Sequence, residues 1–597
     1  MNRMKLYFRS IGYSYKLIYQ SSKLMILIYF LLNLISTSVP LANTYILKYL
    51  FDILTVRQPD IQIIILYIIV YISLQIILQI SQSAAGILYD SINSKASYQY
   101  GANLSEKLAK LPMSVIDTSE GKDLVDDVRN TKNTAIYTAF QIISVFSLLY
   151  TFCVAFITLV IFNIWFSCLF IALTIPGIIT NVIFTRKSEN LRRKSAPDVR
   201  KFSYYRWMLT DVWPAKDVRM YDLTKPIKNR YDTEKDIYRQ ANKTLDIKRL
   251  QAALLTEIIA RSGEIIFTFF VILQAIEGRL TVGNVVLYIG FALSVYHSFS
   301  EMTLIFVNGY AFTTDMMGRL FDFYDMKCPD ASKGMRKLND FESLIFDNVS
   351  FKYPMTENYV LNGTSFVLNK GDKLSIVGVN GSGKSTIIKL MLGLYQIDSG
   401  KILINGYPMS DYDINDIRKL FSALFQTFVQ YPFTLRDNIA LSDYDRANHD
   451  EEITEAIKQS GVYDELQPKL ENGLDSYMTR SFDDKGTELS KGQWQKIALS
   501  RAYFKNAPIV IFDEPSAALD AEAEDRIFKN FEAISDNKTG IMISHRISAA
   551  RMSNKIIVLD GGIITEQGTH NELVALGGLY AKLYNLQKEK YTVREAE

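Results

Sequence analysis

The sequence predicts a multi-domain membrane protein, in which a six-helix α-helical transmembrane domain precedes a soluble α/β domain. Two observations support this fold class. Residues 133–185 contain no Asp, Glu, Lys or Arg, whereas the second half carries charges throughout. That second half also contains short apolar runs, such as Ile509–Phe512, between helical patterns, as parallel sheets do. The overall balance, 48% hydrophobic and 22% charged residues, therefore averages two unlike parts.

Six apolar segments in the first half are long enough to cross a hydrocarbon layer of about 30 Å at about 1.5 Å per helical residue. The predicted spans are 24–47, 61–89, 134–162, 164–185, 250–276 and 282–306. The third and fourth spans come from one apolar stretch, which we expect to break near Asn163. The fifth is the least regular, because charged residues interrupt its first part.

Basic residues set the predicted orientation in the cell membrane. Those before the first span are Arg3, Lys5, Arg9, Lys16 and Lys23, with no acidic residue among them. This bias predicts a cytoplasmic N-terminus, and six crossings return the chain to the cytoplasm. The long polar stretches 90–132 and 186–249 should also lie there, as extensions of the helices beyond the bilayer.

The same patterns divide the chain. The transmembrane domain is predicted over 1–325, a polar linker over 326–341, the α/β domain over 342–586 and a charged tail over 587–597.

A glycine-rich loop in the α/β domain predicts phosphate binding. It follows the strand-like Leu374–Val377, opens a helix near Lys384 and consists of Gly378, Val379, Asn380, Gly381, Ser382, Gly383, Lys384, Ser385 and Thr386. This is the pattern GxxxxGK[ST] in its usual context between a strand and a helix. Its amides and the helix N-terminus attract phosphates, Lys384 neutralises the β and γ oxygens, and the Ser385 hydroxyl can ligate magnesium.

Two carboxylates follow another strand-like run, Ile509–Phe512. They are Asp513 and Glu514, which a parallel sheet would place at its carboxyl edge beside the phosphate loop. Asp513 would join the magnesium shell, and Glu514 would accept a proton from the attacking water or orient it. Such a pair alone could equally be a solvated strand end. The phosphate loop favours a hydrolytic site.

About twenty residues before Asp513, Leu489–Gln493 reads Leu-Ser-Lys-Gly-Gln. It resembles the LSGGQ signature of ATP-binding cassette (ABC) proteins. Six spans followed by one cassette resemble the bacterial ABC half-transporters of the multidrug, lipid and bacteriocin export type, and this likeness covers nearly the whole chain. The resemblance implies an ATPase that uses ATP and Mg²⁺.

The resemblance also implies roles for four single residues. Tyr353 would stack on adenine, and Gln426 would sense magnesium and signal to the membrane part. His545 would contact the γ-phosphate and hold Glu514, while Asp520 belongs to a loop that crosses the dimer interface. The implied catalytic set is Glu514, His545, Gln426 and Lys384, and the implied magnesium set is Ser385, Gln426 and Asp513.

In the family, ATP is held between the phosphate loop of one cassette and the signature of another, so the resemblance implies a dimer. Ser490, Gly492 and Gln493 would then bind the nucleotide of the partner. Lys491 departs from the family, which usually has Gly there. Two arrangements stay open: a heterodimer, in which the partner supplies a consensus signature, and a homodimer that tolerates Lys491.

The expected function is ATP-driven export of an amphipathic substrate by alternating access. A peptide or peptide-like natural product is the preferred cargo, followed by a drug and a lipid. By resemblance, segments around Ser114–Asp126 and Trp213–Leu223 would be coupling helices that rest on the cassettes. The alternatives are a membrane-bound ATPase that acts as a sensor or regulator without net transport, and an importer of the same architecture.

Charged residues inside the last two spans suggest a second site. Glu257, Arg261 and Glu264 fall on one face of the fifth span, and Glu301 lies at a similar depth on the sixth. They either line the substrate cavity or form a structural ion pair around Arg261.

Composition excludes other classes of function. A net charge of +3 is too weak to indicate a nucleic-acid partner. The three cysteines, Cys153, Cys168 and Cys328, have no spacing that predicts a metal site.

Overall fold

The computed structural model describes residues 3–56, 60–309, 313–326, 336–338, 340–514, 528–529, 531–533, 535, 538–544 and 550–592. The chain divides into two compact units. The helical unit comprises Met1–Ala109 and Asp123–Met326, and the α/β unit comprises Lys110–Lys122 and Lys327–Glu597. The segment 110–122 thus belongs with the α/β unit, although it lies within the predicted transmembrane domain.

The described residues of the chain up to 326 lie mainly in helices. Its helices are α1 (Arg3–Ser21), α2 (Lys23–Leu54), α3 (Ile61–Lys110), α4 (Met113–Ile116), α5 (Ser119–Phe162), α6 (Ile164–Lys194), α7 (Ala196–Thr210), α8 (Ala215–Met220), α9 (Thr224–Ile276), α10 (Val282–Asn308) and α11 (Thr314–Asp325). In the described part of the chain, six of them, α2, α3, α5, α6, α9 and α10, are long and apolar enough to cross a membrane, which confirms the predicted number of spans.

The longest helices continue well past their apolar parts. Helix α3 has 50 residues and α9 has 53, so each exceeds the roughly 20 residues that a bilayer requires. The polar stretches after the second span and before the fifth therefore extend these helices.

The break between the third and fourth spans lies at Asn163, as predicted. The Asn163 side-chain oxygen accepts a hydrogen bond from the amide of Trp165 at 3.0 Å, which starts α6. Prolines also interrupt the backbone bonding of two spans, with Pro40 inside α2 and Pro176 inside α6. Because proline has no N–H, each removes one bond from its helix.

Buried apolar residues from four spans form a core in the helical unit. They include Leu41 of α2, Leu159 of α5, Phe267 of α9 and Phe291 of α10. Such packing fixes the register of neighbouring helices, because filled interiors tolerate little change in volume.

The charged residues of the fifth span form an ion-paired group. Arg261 donates to Glu257 at 2.9 Å and to Glu264 at 2.6 Å, and the Tyr296 hydroxyl of α10 donates to Glu257 at 2.6 Å. The structure thus contains the ion pairs around Arg261 that the structural hypothesis expects. Glu301 lies farther along α10.

The α/β unit contains ten described strands. They are β1 (Ser343–Phe351), β2 (Leu361–Asn369), β3 (Lys373–Gly378), β4 (Ser399–Ile404), β5 (Tyr407–Pro408), β6 (Phe421–Leu424), β7 (Ile509–Asp513), β8 (Thr539–Ile543), β9 (Lys555–Asp560) and β10 (Ile563–Gly568). Its helices after α4 are α12 (Lys384–Met391), α13 (Ile414–Lys419), α14 (Leu435–Ala440), α15 (Asp450–Gln459), α16 (Tyr463–Leu466), α17 (Lys491–Lys505), α18 (His570–Leu576) and α19 (Leu579–Thr592).

Two sheets organise these strands. The order β2-β1-β4-β5 forms an antiparallel sheet, and β10-β9-β3-β8-β7-β6 forms a sheet in which only β10 runs antiparallel to its neighbour. All residues of β7 and β8 are buried, as expected for parallel strands covered on both faces. The predicted fold class, six apolar helices followed by an α/β domain, is therefore confirmed.

Candidate nucleotide site

The parallel sheet brings three predicted motifs to one edge. Strand β3 leads into the phosphate loop, β7 ends at Asp513, and β6 is followed closely by Gln426. These strands are neighbours or near neighbours and run in the same direction. Their carboxyl ends therefore meet at the edge where ligands bind in open α/β sheets.

Glycines of the phosphate loop are required by close contacts and by backbone conformation. A Cβ on Gly378 would lie 2.2 Å from the carbonyl oxygen of Leu559 and 2.8 Å from Ser382 Oγ. Gly383 has φ +104° and forms the N-cap of α12, which begins at Lys384 as predicted. A side chain is strained in that left-handed conformation. The loop can therefore turn tightly and present its amides, together with the start of α12, to a phosphate.

Lys384 is held inside the loop. Its Nζ donates to the carbonyl oxygens of Gly378 at 3.0 Å and Val379 at 2.9 Å, and the residue is only 5% exposed. Burial lowers the pKa of the Lys384 ammonium, and the carboxylates of Glu514 and Asp513 oppose that shift. The Lys384 ammonium therefore lies near the carboxylates of Asp513 and Glu514, in a position from which it can contact phosphate oxygens.

Two of the three predicted magnesium ligands, Ser385 and Asp513, contact each other. Ser385 Oγ donates to Asp513 Oδ1 at 3.3 Å, and Asp513 is 6% exposed. Burial, with the nearby charge of Glu514, raises the pKa of Asp513 to about 6. Two oxygen ligands and the oxygens of a bound phosphate form the donor set that Mg²⁺ prefers.

Gln426 and Glu514 contact each other directly. Gln426 Nε2 donates to Glu514 Oε2 at 2.6 Å. Glu514 has φ +48°, a left-handed conformation that costs a non-glycine residue about 1–2 kcal/mol. Its amide donates to the carbonyl of Ile543 at 2.9 Å, which anchors it beside β8. Backbone and side chain thus both fix the carboxylate of Glu514.

These residues line a cavity of about 490 Å³. Its lining consists of Tyr353, Val360, Asn380, Gly381, Ser382, Gly383, Lys384, Ser385, Thr386, Gln426 and Glu514. Ser382 Oγ is buried and has no hydrogen-bond partner among the described residues. A buried hydroxyl without a partner costs free energy, so this atom fits a phosphate oxygen supplied by a ligand. The cavity therefore fits a nucleoside triphosphate with its magnesium ion.

Tyr353 lines this cavity and is oriented by several neighbours. Its hydroxyl hydrogen-bonds to Thr386 Oγ1 at 3.1 Å and accepts from Lys389 Nζ at 3.3 Å. Its ring lies edge-on to Phe351 and Tyr395, with centroid distances of 5.1 Å and 5.3 Å. The ring is consequently fixed before any base reaches it.

The signature begins helix α17 with a reciprocal cap. Ser490 Oγ accepts from the amide of Gln493 at 3.3 Å, and Gln493 Oε1 accepts from the amide of Ser490 at 3.1 Å. This capping box fixes the start of the helix. Lys491 is exposed and Gly492 has open space around it, while none of the four residues 490–493 is among the residues that line the cavity.

Arg501 was not identified from the sequence, but it connects the signature helix to the segment after Gln426. It donates to the carbonyls of Asn438 at 2.8 Å and Val429 at 3.1 Å and to Asn438 Oδ1 at 2.8 Å. Burial lowers its pKa. No motif or spacing signals this residue, because its partners are far away in the sequence. His545 and Asp520 lie outside the described residues.

Comparisons with known families agree with this site. The family described as ABC transporter matches residues 361–517, and the ABC transporter transmembrane region matches residues 26–299.

Three relatives illustrate the similarity. The chain is 32% identical to the subtilin transport ATP-binding protein SpaT of Bacillus subtilis, over 96% of this chain and 93% of that protein. It is 30% identical to the nisin transport ATP-binding protein NisT of Lactococcus lactis subsp. lactis, over 95% and 94%. It is 35% identical to an ATP-dependent lipid A-core flippase of Methylobacillus flagellatus, over 45% of each.

A solved structure shares the fold. A bacterial Atm1-family ABC exporter with ATP bound superposes with a TM-score of 0.76 at 22% identity, over 94% of this chain and 98% of that one.

Proposed function

Because this chain belongs to the ABC transporter family, we propose that it exports an amphipathic peptide or peptide-like natural product across the cell membrane by alternating access. It is an ATPase with a multi-pass membrane region, and ATP drives the export. The cavity lined by the phosphate loop, Gln426 and Glu514, with Asp513 hydrogen-bonded to Ser385 of the loop, supports hydrolysis as the energy source.

The choice of a peptide rests on the extent of the matches. The two relatives that match at 30% identity or more along nearly the whole chain are named for subtilin and nisin transport. The flippase matches are either shorter or lower in identity. Because the substrate path of a transporter lies in its membrane region, a match that includes this region bears more directly on the cargo than one confined to part of the chain.

The residues of the site have separate roles in nucleotide binding, metal binding and hydrolysis. Lys384 and the loop amides bind the β- and γ-phosphates, and Tyr353 stacks on the base. Ser385 and Asp513 would hold magnesium, with Gln426 beside them, and the ion would neutralise phosphate charge. Glu514 accepts a proton from the attacking water, and His545 would assist at the γ-phosphate.

We further propose that the working unit is a dimer with the N-terminus and the α/β unit in the cytoplasm. The signature residues Ser490, Gly492 and Gln493 do not line the cavity of their own chain among the described residues, which supports their use by a second cassette. Asp520 would lie near that interface. The homodimer and the heterodimer predict different masses for the purified complex.

Transport can be measured directly. The purified chain is reconstituted in proteoliposomes with the α/β unit outward, and uptake of fluorescent nisin is followed with ATP and Mg²⁺. Accumulation that requires ATP and disappears in Glu514→Gln supports the proposal. Nisin-stimulated ATPase without accumulation would indicate a sensor, whereas ATP-driven release from preloaded vesicles would indicate an importer. Either result would overturn export.

A monomer that binds ATP without turnover would exclude the homodimer. Mass measurement of the purified chain, with and without ATP, separates this case from a failed reconstitution. A second cassette supplied with a consensus signature should then restore turnover.

A further inference from the structure

The segment 110–122 lies between two long membrane-spanning helices but forms part of the α/β unit. Its short helix α4 ends at Ile116, and the amide of Asp117 caps it by donating to the carbonyl of Met113 at 2.9 Å. Met113 packs against the main apolar core of the α/β unit. The segment is therefore seated on the α/β unit by its own apolar contacts.

A hydrogen bond joins this segment to a buried tyrosine. The hydroxyl of Tyr395, a residue only 7% exposed, donates to Asp117 Oδ2. Burial, followed by the bond to Asp117, raises the pKa of Tyr395, so the phenol keeps its proton and remains the donor. Charge-assisted bonds of this type are stronger than neutral ones.

The same tyrosine contacts the residue that faces the nucleotide cavity. The ring of Tyr395 meets the ring of Tyr353 edge-on, at 5.3 Å and an interplanar angle of 88°. Lys389 Nζ lies over both rings, 5.2 Å from the centroid of Tyr353 and 5.8 Å from that of Tyr395. A shift of Tyr353 when a base stacks on it must therefore be accommodated by Tyr395.

The segment can transmit such a shift because it is internally rigid. Thr118 Oγ1 donates to the carbonyl of Val115 at 2.8 Å and accepts from the amide of Gly121 at 2.9 Å. A Cβ on Gly121 would lie 1.9 Å from the carbonyl oxygen of Val115, so only glycine allows this turn. Asp117 is thus connected to the start of α5 through a closed set of bonds.

We propose that Tyr395 is a positioning residue that links occupancy of the nucleotide cavity, sensed at Tyr353, to the segment 110–122 through its bond to Asp117. The inference rests on the proposed function, since it assumes that a base stacks on Tyr353. A ligand shifts a conformational equilibrium only through different affinities for the two states. The tyrosine pair and the Asp117 bond provide contacts that can differ between them.

Four variants separate the two contacts of Tyr395. Tyr395→Phe keeps the ring and removes the hydroxyl, whereas Tyr395→Leu removes both contacts. Asp117→Ala removes the acceptor, and Asp117→Asn keeps an oxygen that can accept the same bond. The full-length protein is used in nanodiscs, with Kd for ATP, hydrogen exchange of residues 110–122, kcat and KM, and nisin uptake per ATP hydrolysed as readouts.

Wild type should bind ATP, and ATP should change hydrogen exchange in 110–122. Tyr395→Phe and Asp117→Ala should bind ATP with an unchanged Kd but lose this change and transport less per ATP. Asp117→Asn should restore both. Tyr395→Leu should also raise Kd and KM for ATP about five-fold, the equivalent of losing one aromatic pair.

Two results would overturn the inference while leaving the proposed function intact. The first is a wild-type exchange response in both Tyr395→Phe and Asp117→Ala. The second is an equal loss in Asp117→Asn and Asp117→Ala, because Asn keeps the packing and the acceptor oxygen, so the effect would then come from the charge of Asp117 and not from its bond to Tyr395. Failure of the wild type to bind ATP would instead overturn the proposed function.

Discussion

At the scale of single residues, the site buries charged and polar groups that a nucleotide and a cation would stabilise. Lys384 is buried against its own loop carbonyls, Asp513 is buried beside Glu514, and Ser382 has a buried hydroxyl without a partner among the described residues. Burying each group costs free energy, and phosphate oxygens together with a cation would offset that cost. These residues therefore lower the stability of the fold while serving the binding of the nucleotide, a trade-off that is common at active sites.

Glu514→Gln should abolish turnover without abolishing nucleotide binding. Loss of a general base lowers the rate about 10²–10⁴-fold. ATPase rate and ATP affinity are measured on the purified protein, and Glu451→Gln, an exposed carboxylate of α15, is the control. Turnover within tenfold of wild type would contradict the role given to Glu514.

Asp513→Asn should stabilise the nucleotide-free protein at neutral pH. The pKa of Asp513 is about 6 in the folded state against an ordinary value of 3.8, so ionisation favours the unfolded state. The free energy of unfolding of wild type should therefore fall as pH rises from about 4 to about 6 and stay low above that range. Below about pH 4 both states are protonated and the variant should gain nothing.

Thermal unfolding at several pH values, without ATP or Mg²⁺, measures this difference. Asp560→Asn, at the exposed end of strand β9 in the same sheet, is the matched control and should show no comparable gain. A pH-independent difference between Asp513→Asn and wild type would contradict the explanation.

At the scale of elements, long apolar runs and turn chemistry could be predicted from the sequence, but contacts between distant elements could not. The six spans, the break at Asn163 and the start of α12 at Lys384 follow from local pattern. The bond between Tyr395 and Asp117 joins residues 278 positions apart, so no local pattern predicts it. The pairing of Gln426 with Glu514 likewise depends on the order of strands in the sheet.

Gly378→Ala should distort the phosphate loop and weaken ATP binding more than tenfold. The added Cβ would approach the carbonyl oxygen of Leu559 to 2.2 Å, and neither the strand nor the loop can move away without losing bonds. Overpacking of this kind costs about 1–3 kcal/mol. Binding of a fluorescent ATP analogue and thermal unfolding are the measurements.

Gly101→Ala is the control for Gly378→Ala, because a Cβ at that position on α3 meets no heavy atom within 4 Å. It should leave both readouts unchanged. Normal ATP binding by Gly378→Ala would mean that the loop is not held as closely as the contacts indicate.

At the scale of the whole molecule, six spans and one cassette form the architecture of an ABC half-transporter. Charge bias at the N-terminus predicts its orientation. The proposed dimer is supported by the absence of residues 490–493 from the described lining of the chain's own cavity. The partner could not be identified from the sequence, because the phosphate-loop and signature patterns are shared throughout the family and carry no information on which cassette pairs with this one. A homodimer would have Lys491 at both signatures, whereas a heterodimer could have a consensus signature on the partner. The two dimers should therefore differ in the rate of ATP hydrolysis.

Cysteine labelling tests the orientation. In a background where Cys153, Cys168 and Cys328 are replaced by Ala, Arg279→Cys lies between α9 and α10, and Lys370→Cys lies between β2 and β3. A membrane-impermeant maleimide should label Arg279→Cys in intact cells and Lys370→Cys only after permeabilisation. The reverse pattern would place the α/β unit outside.

The prolines inside α2 and α6 each remove one backbone hydrogen bond, so the carbonyls of Ser36 and Ala172 have no N–H partner four residues ahead. Near Pro40, the hydroxyls of Thr37 and Ser38 occupy carbonyls of the preceding turn, at 3.0 Å and 2.7 Å. A helix that lacks one of these hydrogen bonds bends there at lower energetic cost than an uninterrupted helix. If the helical unit changes conformation during transport, we expect α2 and α6 to bend at these prolines while the other spans move as rigid bodies.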